Sequence, residues 1–218
     1  MKKSNILNLM IILVILSPIG YLLITWNSTP ENFTTKFDFT DQFQKVQSRN
    51  SLLLAVIIIS AVSSLLYILM RNLKKVDPKV TDSTPGSAFN KLGLLISIFL
   101  LLINYFLILS SQNNWVISSS VAIAFLGLLV MLIGNYMNNL KPNYFAGIRL
   151  PWTLNDPENW RRTHQLAAKL WFAGGLVLIV ISFFLPKLLL FPFMVGLLIL
   201  LTAIPSIYSY RIYRSKLT

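Results

Sequence analysis

The sequence predicts an all-α polytopic membrane protein: six transmembrane helices in one bundle, with both termini in the cytoplasm. Three observations carry that prediction. The 218 residues are 55% hydrophobic and only 12% charged, where a soluble domain carries about 25% charged residues. The apolar residues fall in runs of the length that crosses roughly 30 Å of hydrocarbon. The 19 Lys and Arg, which leave a net charge of +12, flank those runs and divide unevenly between the two sides.

Spans are expected at 6–26, 51–71, 92–110, 116–137, 169–185 and 188–210. Lys2 and Lys3 precede the first, and its apolar run continues to Ile24 with no A-x-A-like site after Pro18. It therefore reads as a retained signal anchor rather than a cleaved leader. Six crossings place the N-terminus, the 72–91 loop, the 138–169 loop and the C-terminus together. That side then holds every Lys and Arg except Lys36, Lys45, Arg49 and Lys187. The positive-inside rule makes it the cytoplasmic side. Cations at span ends are explained by lipid and orientation. No basic motif or soluble domain accompanies them, so direct nucleic-acid binding is not expected.

The segments between spans complete the domain reading: residues 1–75 as a two-span hairpin, 76–90 as a cytoplasmic linker, and 91–218 as a four-span core with a motif segment at 138–168. The outer loop, 27–50, is polar with Phe33, Phe37, Phe39 and Phe43 interleaved. Alternation at Phe37 and Phe39 suits a short strand or an interfacial patch, and rings that simply dip into the headgroup layer are the favoured explanation. Asn27-Ser28-Thr29 and Asn32-Phe33-Thr34 match glycosylation sequons, a short and uninformative pattern. Pro78, Pro85 and Gly86 mark the 72–90 loop as flexible.

Inside the spans the sequence offers packing rather than chemistry. No Asp, Glu, Lys, Arg or His falls in the apolar cores, whereas ion-coupled transporters place such groups at mid-membrane. Asn104 is the main buried polar candidate and reads as an interhelical hydrogen bond. Ser60 and Ser64, then Ser120, Ala124, Gly127 and Gly134, then Gly174 and Gly175 are small residues that let backbones approach. Pro192 and Pro205 are expected to kink or bound the last span. There is no Cys, which removes disulfides, thiolate metal sites and Cys nucleophiles.

Residues 143–164 hold the candidate site. Here two Trp, three Arg, two Pro and the single His of the chain share one link, too polar to cross a bilayer and too aromatic for a plain loop. Lys141-Pro142 and Leu150-Pro151 are expected to hold the first part extended, with Gly147 permitting a turn or close approach. Asp156 is a good N-cap, Pro157 suits the first helical position, and Glu158 complements the helix dipole and can pair with Arg161 and Arg162. Nothing breaks that helix before Gly174, so it is expected to run on into the fifth span. It places Trp160, His164, Ala168 and Trp171 on one face. One reading of the segment is a cationic, aromatic pocket of Arg149, Trp152, Trp160, Arg161 and His164 that holds an anionic ligand or acidic peptide. The other is an interfacial belt, with Trp at headgroup level and Arg on lipid phosphates. A lone His lacks the convergent groups that metal binding or nucleophilic catalysis needs. No metal, cofactor or enzymatic activity is expected.

The run Lys141-Pro142-Asn143-Tyr144-Phe145-Ala146-Gly147-Ile148-Arg149-Leu150-Pro151-Trp152-Thr153, followed by Glu158-Asn159-Trp160-Arg161-Arg162-Thr163-His164, resembles the signature of the SdpI family. The usual form is N-x-x-x-G-I-R-T-P-W-T-L, then W-x-x-T-H, then a glycine-containing span. The chain matches at Asn143, Gly147, Ile148, Arg149, Pro151, Trp152, Thr153, Leu154, Trp160, Thr163, His164 and Gly174-Gly175. It departs at Leu150, where Thr is common. The resemblance covers residues 90–215 well. The outer loop from Pro30 to Arg49 resembles a degenerate form of the family's N-terminal module: Thr35, Phe37 and Phe39 fit, Lys36 stands where His is usual, and Thr40-Asp41-Gln42 replaces a Gly turn.

The resemblance implies a bacterial cytoplasmic-membrane protein that protects its cell from a secreted SDP-type peptide toxin. It further implies toxin sensing and capture of an ArsR-like autorepressor at the membrane. Toxin would be met by the outer loop and span surfaces, and the repressor by the 143–164 segment. The implied partner-binding residues are Asn143, Gly147, Arg149, Pro151, Trp152, Thr153, Trp160, Arg161, Thr163 and His164. The alternative is a small-molecule or lipid transporter with a cationic cytoplasmic gate.

Overall fold

The structure, a computed structural model, describes residues 3–35, 45–80, 86–113 and 118–217. The long helices are α1 (Lys3–Ile24), α2 (Arg49–Arg71), α4 (Gly86–Gln112), α5 (Ser119–Met137), α7 (Pro157–Phe184) and α8 (Lys187–Ser215). Two short ones, α3 (Leu73–Val76) and α6 (Pro151–Asn155), lie between them, with strands β1 (Asn32–Thr35) and β2 (Lys45–Ser48). All six long helices are long and apolar enough to cross a membrane. The protein is a multi-pass membrane protein, as its runs of apolar residues predict. The chain forms two compact units, one of Met1–Met70 with Gly93–Ser118, the other of Arg71–Leu92 with Ser119–Thr218.

In the first unit α2 buries Leu52, Val56, Ser60, Ser63, Tyr67 and Met70, one stripe at helical spacing. Polar side chains on that stripe join helices through single hydrogen bonds. Asn104 Nδ2 donates to Ser60 Oγ at 3.1 Å, the interhelical bond expected of it. Ser63 Oγ donates to Ser97 O at 3.4 Å, and Tyr67 OH to Asn8 Oδ1 at 3.1 Å. Ser63 adds an interhelical hydrogen bond beside the expected Ser60, while the Ser64 hydroxyl is buried without one among the described residues. Strands β1 and β2 pair antiparallel, Phe33 opposite Gln47. Phe33 is the aromatic that turns inward, against Leu22, Leu52, Val56 and Ile108. Phe37, Phe39 and Phe43, with the patch expected there, lie outside the described residues, as do Lys36 and Pro85.

The second unit is held by glycine at its helix crossings, at the positions the sequence marks. A Cβ on Gly127 of α5 would lie 2.8 Å from Gly175 O of α7, and one on Gly134 would lie 2.5 Å from Phe172 N. Gly174, one residue round α7, faces α8, where a Cβ would stand 2.7 Å from Leu201 Cδ1. Backbones this close gain dispersion contact that larger residues would prevent. Trp171 adds a bond from Nε1 to Leu201 O at 2.9 Å. Pro192 and Pro205 both lie inside one continuous α8, so neither bounds the span; membrane helices tolerate proline where neighbours re-satisfy the freed carbonyl.

The connection expected to be a linker is folded over its described residues, as α3 and the turn to Val80 and then, from Gly86, as the start of α4. Leu73, Asp77 and Val80 are buried. Asp77 accepts from Lys79 N at 2.9 Å and from Tyr144 N at 2.6 Å. Lys79 Nζ reaches Leu154 O at 2.5 Å and lies 5.3 Å from the Tyr144 ring centre. The 141–155 segment therefore rests on a small floor built from residues 73–80.

Candidate functional site

Asn143 folds the start of the segment onto itself. Its Oδ1 accepts from Phe145 N at 2.8 Å and Ala146 N at 2.6 Å, and its Nδ2 donates to Lys141 O at 2.8 Å and Ala146 O at 3.0 Å. An Asn side chain that bonds its own backbone in this way closes a turn without help from the rest of the fold. The turn delivers Gly147 at φ 107°, a conformation open to glycine at little cost. A Cβ here would run into His164 Nε2 and the Trp160 ring.

His164 is a structural ligand of this loop. Its Nε2 accepts from Ile148 N at 3.0 Å, and its Nδ1 lies 2.8 Å from Trp160 O. Those partners assign the neutral ring with hydrogen on Nδ1. The ring stacks on Trp160 at 4.0 Å between centres and 18° between planes, and Trp160 Nε1 donates to Leu140 O at 2.8 Å. Trp160 and His164 are each 1% exposed. The i, i+4 pair thus pins the loop at both 140 and 148 to the first turns of α7.

Leu150 is extended, at φ −103° and ψ 153°, as its place before Pro151 predicts, but the chain does not stay extended beyond it. Pro151 takes the first position of α6 instead, where its missing N–H is harmless. Thr153 holds the turn from inside: Oγ1 accepts from Leu150 N at 2.9 Å and donates to Ile148 O at 2.9 Å. Leu150 stands at the N-cap of α6 without a side-chain oxygen to offer, and it is there that the family pattern usually has Thr.

Asp156 caps α7 as expected, its Oδ1 accepting from Glu158 N at 3.0 Å and Asn159 N at 3.2 Å. Its Oδ2 holds Lys216 Nζ at 2.5 Å. The Lys216 ammonium, aided by the helix N–H groups, keeps the Asp156 carboxyl below the usual carboxylate range. A depressed folded pKa means that the stabilisation is full above the unfolded value and is lost as pH falls through the folded one. Asp156→Ala is expected to cost about 1 kcal/mol near neutral pH, and the gap to wild type should close on acidification below about pH 4. Thermal unfolding in detergent across that range checks this; a gap that persists in acid would refute it.

A second buried network ties α7 to α8. Asn159 Nδ2 donates to Ser209 O at 3.0 Å, and Asn159 Oδ1 accepts from Thr163 Oγ1 and from Ser209 Oγ, both at 3.0 Å. Ser209 Oγ accepts in turn from Trp152 Nε1 at 2.8 Å. Trp152 lies against Tyr213, stacked with centres 5.7 Å apart, and edge-on to Tyr210 at 5.4 Å.

The residues singled out from the sequence therefore divide into two sets. Asn143, Thr153, Trp160, Thr163 and His164 come together as the interior, with Gly147 lying over His164 and Trp160 from the exposed side and Pro151 and Trp152 at the margin. Arg149 and Arg161 do not join them. Arg149 is exposed and donates to Tyr144 O. Arg161 is exposed and paired to Glu158 Oε1 at 2.9 Å, with Arg162 on the same oxygen at 2.6 Å. Arg149, Trp152, Trp160, Arg161 and His164 thus do not line one pocket; a recess of about 300 Å³ beside them is bounded instead by Trp152, Asp156, Tyr213 and Lys216. Asn159, Ser209, Asp77 and Lys79 belong to the site and were absent from the residues singled out. Ser209 lies on one face with Leu201 and Pro205 at i, i+4 spacing, a legible signal. Asp77 carried none, because its partner is a backbone N–H in another segment.

Residues 139–209 match the SdpI/YfhL protein family. They span the whole interior network, from Leu140 to Ser209. The chain carries an SdpI/YfhL family region. Immunity protein SdpI of Bacillus subtilis (strain 168) is 31% identical over 88 residues, which is 40% of this chain and 42% of that protein. The match thus spans about two fifths of that relative's length. No solved structure matches the chain. In this SdpI/YfhL region the polar side chains turned inward are consumed by the fold. Arg149, Arg161, Arg162, Tyr144 and Phe145 form its outer surface, so the arrangement is suited to binding through an exposed cationic and aromatic face.

Proposed function

We propose that the chain is an immunity-type membrane protein that protects its cell from a secreted SDP-type peptide toxin, and that the outer face of its SdpI/YfhL region docks a soluble ArsR-like repressor. The observation that carries the reading is the likeness to Immunity protein SdpI, in a chain whose SdpI/YfhL region uses its interior residues as scaffold and presents arginines outward. The uneven Lys and Arg distribution supports a cytoplasmic position for that face, out of reach of an extracellular toxin and within reach of a cytosolic protein. Toxin would then be met by the opposite side and by the span surfaces. Arg149 and Arg161 are exposed guanidiniums suited to carboxylates of a partner; Arg161 already holds Glu158 through Nε and Nη2, so a partner would use its remaining N–H groups or displace Glu158.

Two measurements test the two halves. Survival of a toxin-sensitive bacterium expressing the chain, challenged with an SDP-type toxin, is expected to rise with its membrane abundance. Unchanged killing would refute protection. Recruitment of an ArsR-like repressor to membranes is expected to fall at least about tenfold in Arg149→Ala/Arg161→Ala, the loss of two charge-assisted contacts. Equal recruitment by wild type and double variant would refute the docking face while leaving protection intact.

A further inference from the structure

We propose that the groove between α5 and α7 binds one anionic glycerophospholipid, its headgroup phosphate on Lys169 and an acyl chain along Phe172. The groove holds about 580 Å³. Asn135 of α5, Asn138 in the turn just after it, and Gln165 and Lys169 of α7 make one end polar, and Ala168 and Phe172 continue it as an apolar wall.

Its depth fits a lipid. Residues 170–184 of α7 carry no charge, about 22 Å of helix, and Lys169 is the cation that bounds this apolar stretch. Lys169 therefore stands where α7 leaves its apolar part, within reach of headgroup level. A soluble anion would leave the Phe172 end of such a groove unused, and a wholly apolar ligand would leave the ammonium without a counter-charge.

Its charge fits an anion from outside the protein. The described acids of this unit are all engaged elsewhere: Asp77 by Tyr144 N and Lys79 N, Asp156 by Lys216, Glu158 by Arg161 and Arg162. Among the described residues the side chains of Asn135, Asn138, Gln165 and Lys169 have no hydrogen-bond or ion-pair partner. The contrast with the interior network is sharp, since Asn143, Asn159, Thr163 and His164 are all bonded within the protein. A cation with three neighbouring amides suits the several acceptor oxygens of a phosphodiester.

The test uses the full chain in detergent, incubated with equal amounts of phosphatidylglycerol and phosphatidylcholine, with retained lipid counted by native mass spectrometry. One phosphatidylglycerol is expected to remain bound, preferred about fivefold, the bias one lysine confers toward an anionic lipid surface. The preference should disappear in Lys169→Ala, persist in Lys169→Arg, and survive millimolar inorganic phosphate. Equal retention of the two lipids by wild type, or an unchanged preference in Lys169→Ala, would overturn the proposal. Displacement by inorganic phosphate would overturn it in favour of a soluble anion. Should Lys169→Ala fail to fold, Lys169→Gln keeps most of the side-chain length and a donor without the charge, and carries the same comparison.

Discussion

Gly147→Ala is expected to lower the stability of the folded protein by about 3 kcal/mol, joining roughly 1–2 kcal/mol for a left-handed backbone with a Cβ to roughly 1–3 kcal/mol for overpacking. Gly147 sits at φ 107°, and the added methyl would displace His164 Nε2, which holds Ile148 N at 3.0 Å. Backbone strain and loss of the ring's acceptor bond act together, and the loop has no alternative path because Asn143 anchors it just upstream. Gly196→Ala is the control. A Cβ there meets nothing within 4 Å, so it should be neutral or gain up to about 1 kcal/mol of helix propensity. Unfolding of both variants in detergent measures the difference. A Gly147→Ala protein as stable as wild type would mean that the loop does not adopt this conformation.

Trp160→Ala should cost about 3–5 kcal/mol, the range for truncating a buried aromatic. Three losses coincide at this residue. The large side chain, 1% exposed, leaves a cavity; Leu140 O loses the donor at 2.8 Å; and the His164 ring loses the surface it stacks on at 4.0 Å. Trp160→Phe, which keeps ring volume in part and removes the N–H, should fall between Ala and wild type. The comparison also bears on function. If the arginines outside bind the partner, Trp160→Ala weakens recruitment only as far as it unfolds the segment, whereas Arg149→Ala/Arg161→Ala weakens it with stability unchanged. Loss of recruitment in a Trp160 variant of wild-type stability would place the indole in the binding surface itself.

The α7 cap shows what was plain before any coordinates. Asp156, Pro157 and Glu158 are local signals, each acting within one turn of its own position, and the helix begins where they say. The glycines at 127, 134, 174 and 175 were legible for a related reason. Small residues in an apolar helix have few uses other than close approach, although which glycine meets which helix is not written locally. Leu150 is extended, as a residue before proline is expected to be, but the short helix that begins at Pro151 is not foreseen. A proline disfavours helix for the residue before it and favours helix at its own position, and the inward bonds of Thr153 to residues 148 and 150 fix the change from one to the other.

The sequence by itself determined the class, the number and placement of the membrane helices, the cap of α7 and the membership of residues in one motif. These follow from hydropathy over a whole span and from bonds within a few residues. Only the tertiary structure decided which motif residues are scaffold and which are surface. Trp160 and Arg161 are neighbours in the chain and of equal promise as binding groups, yet one is enclosed by Leu140, Gly147 and His164 while the other reaches back to Glu158 at the surface. The separation arises because a helix turns about 100° per residue, and the face that meets the loop is set by where Leu140 and Ile148 arrive. Ser209 and Asp77 became part of the site for the same reason: their partners lie far along the chain, and long-range hydrogen bonds leave no local mark.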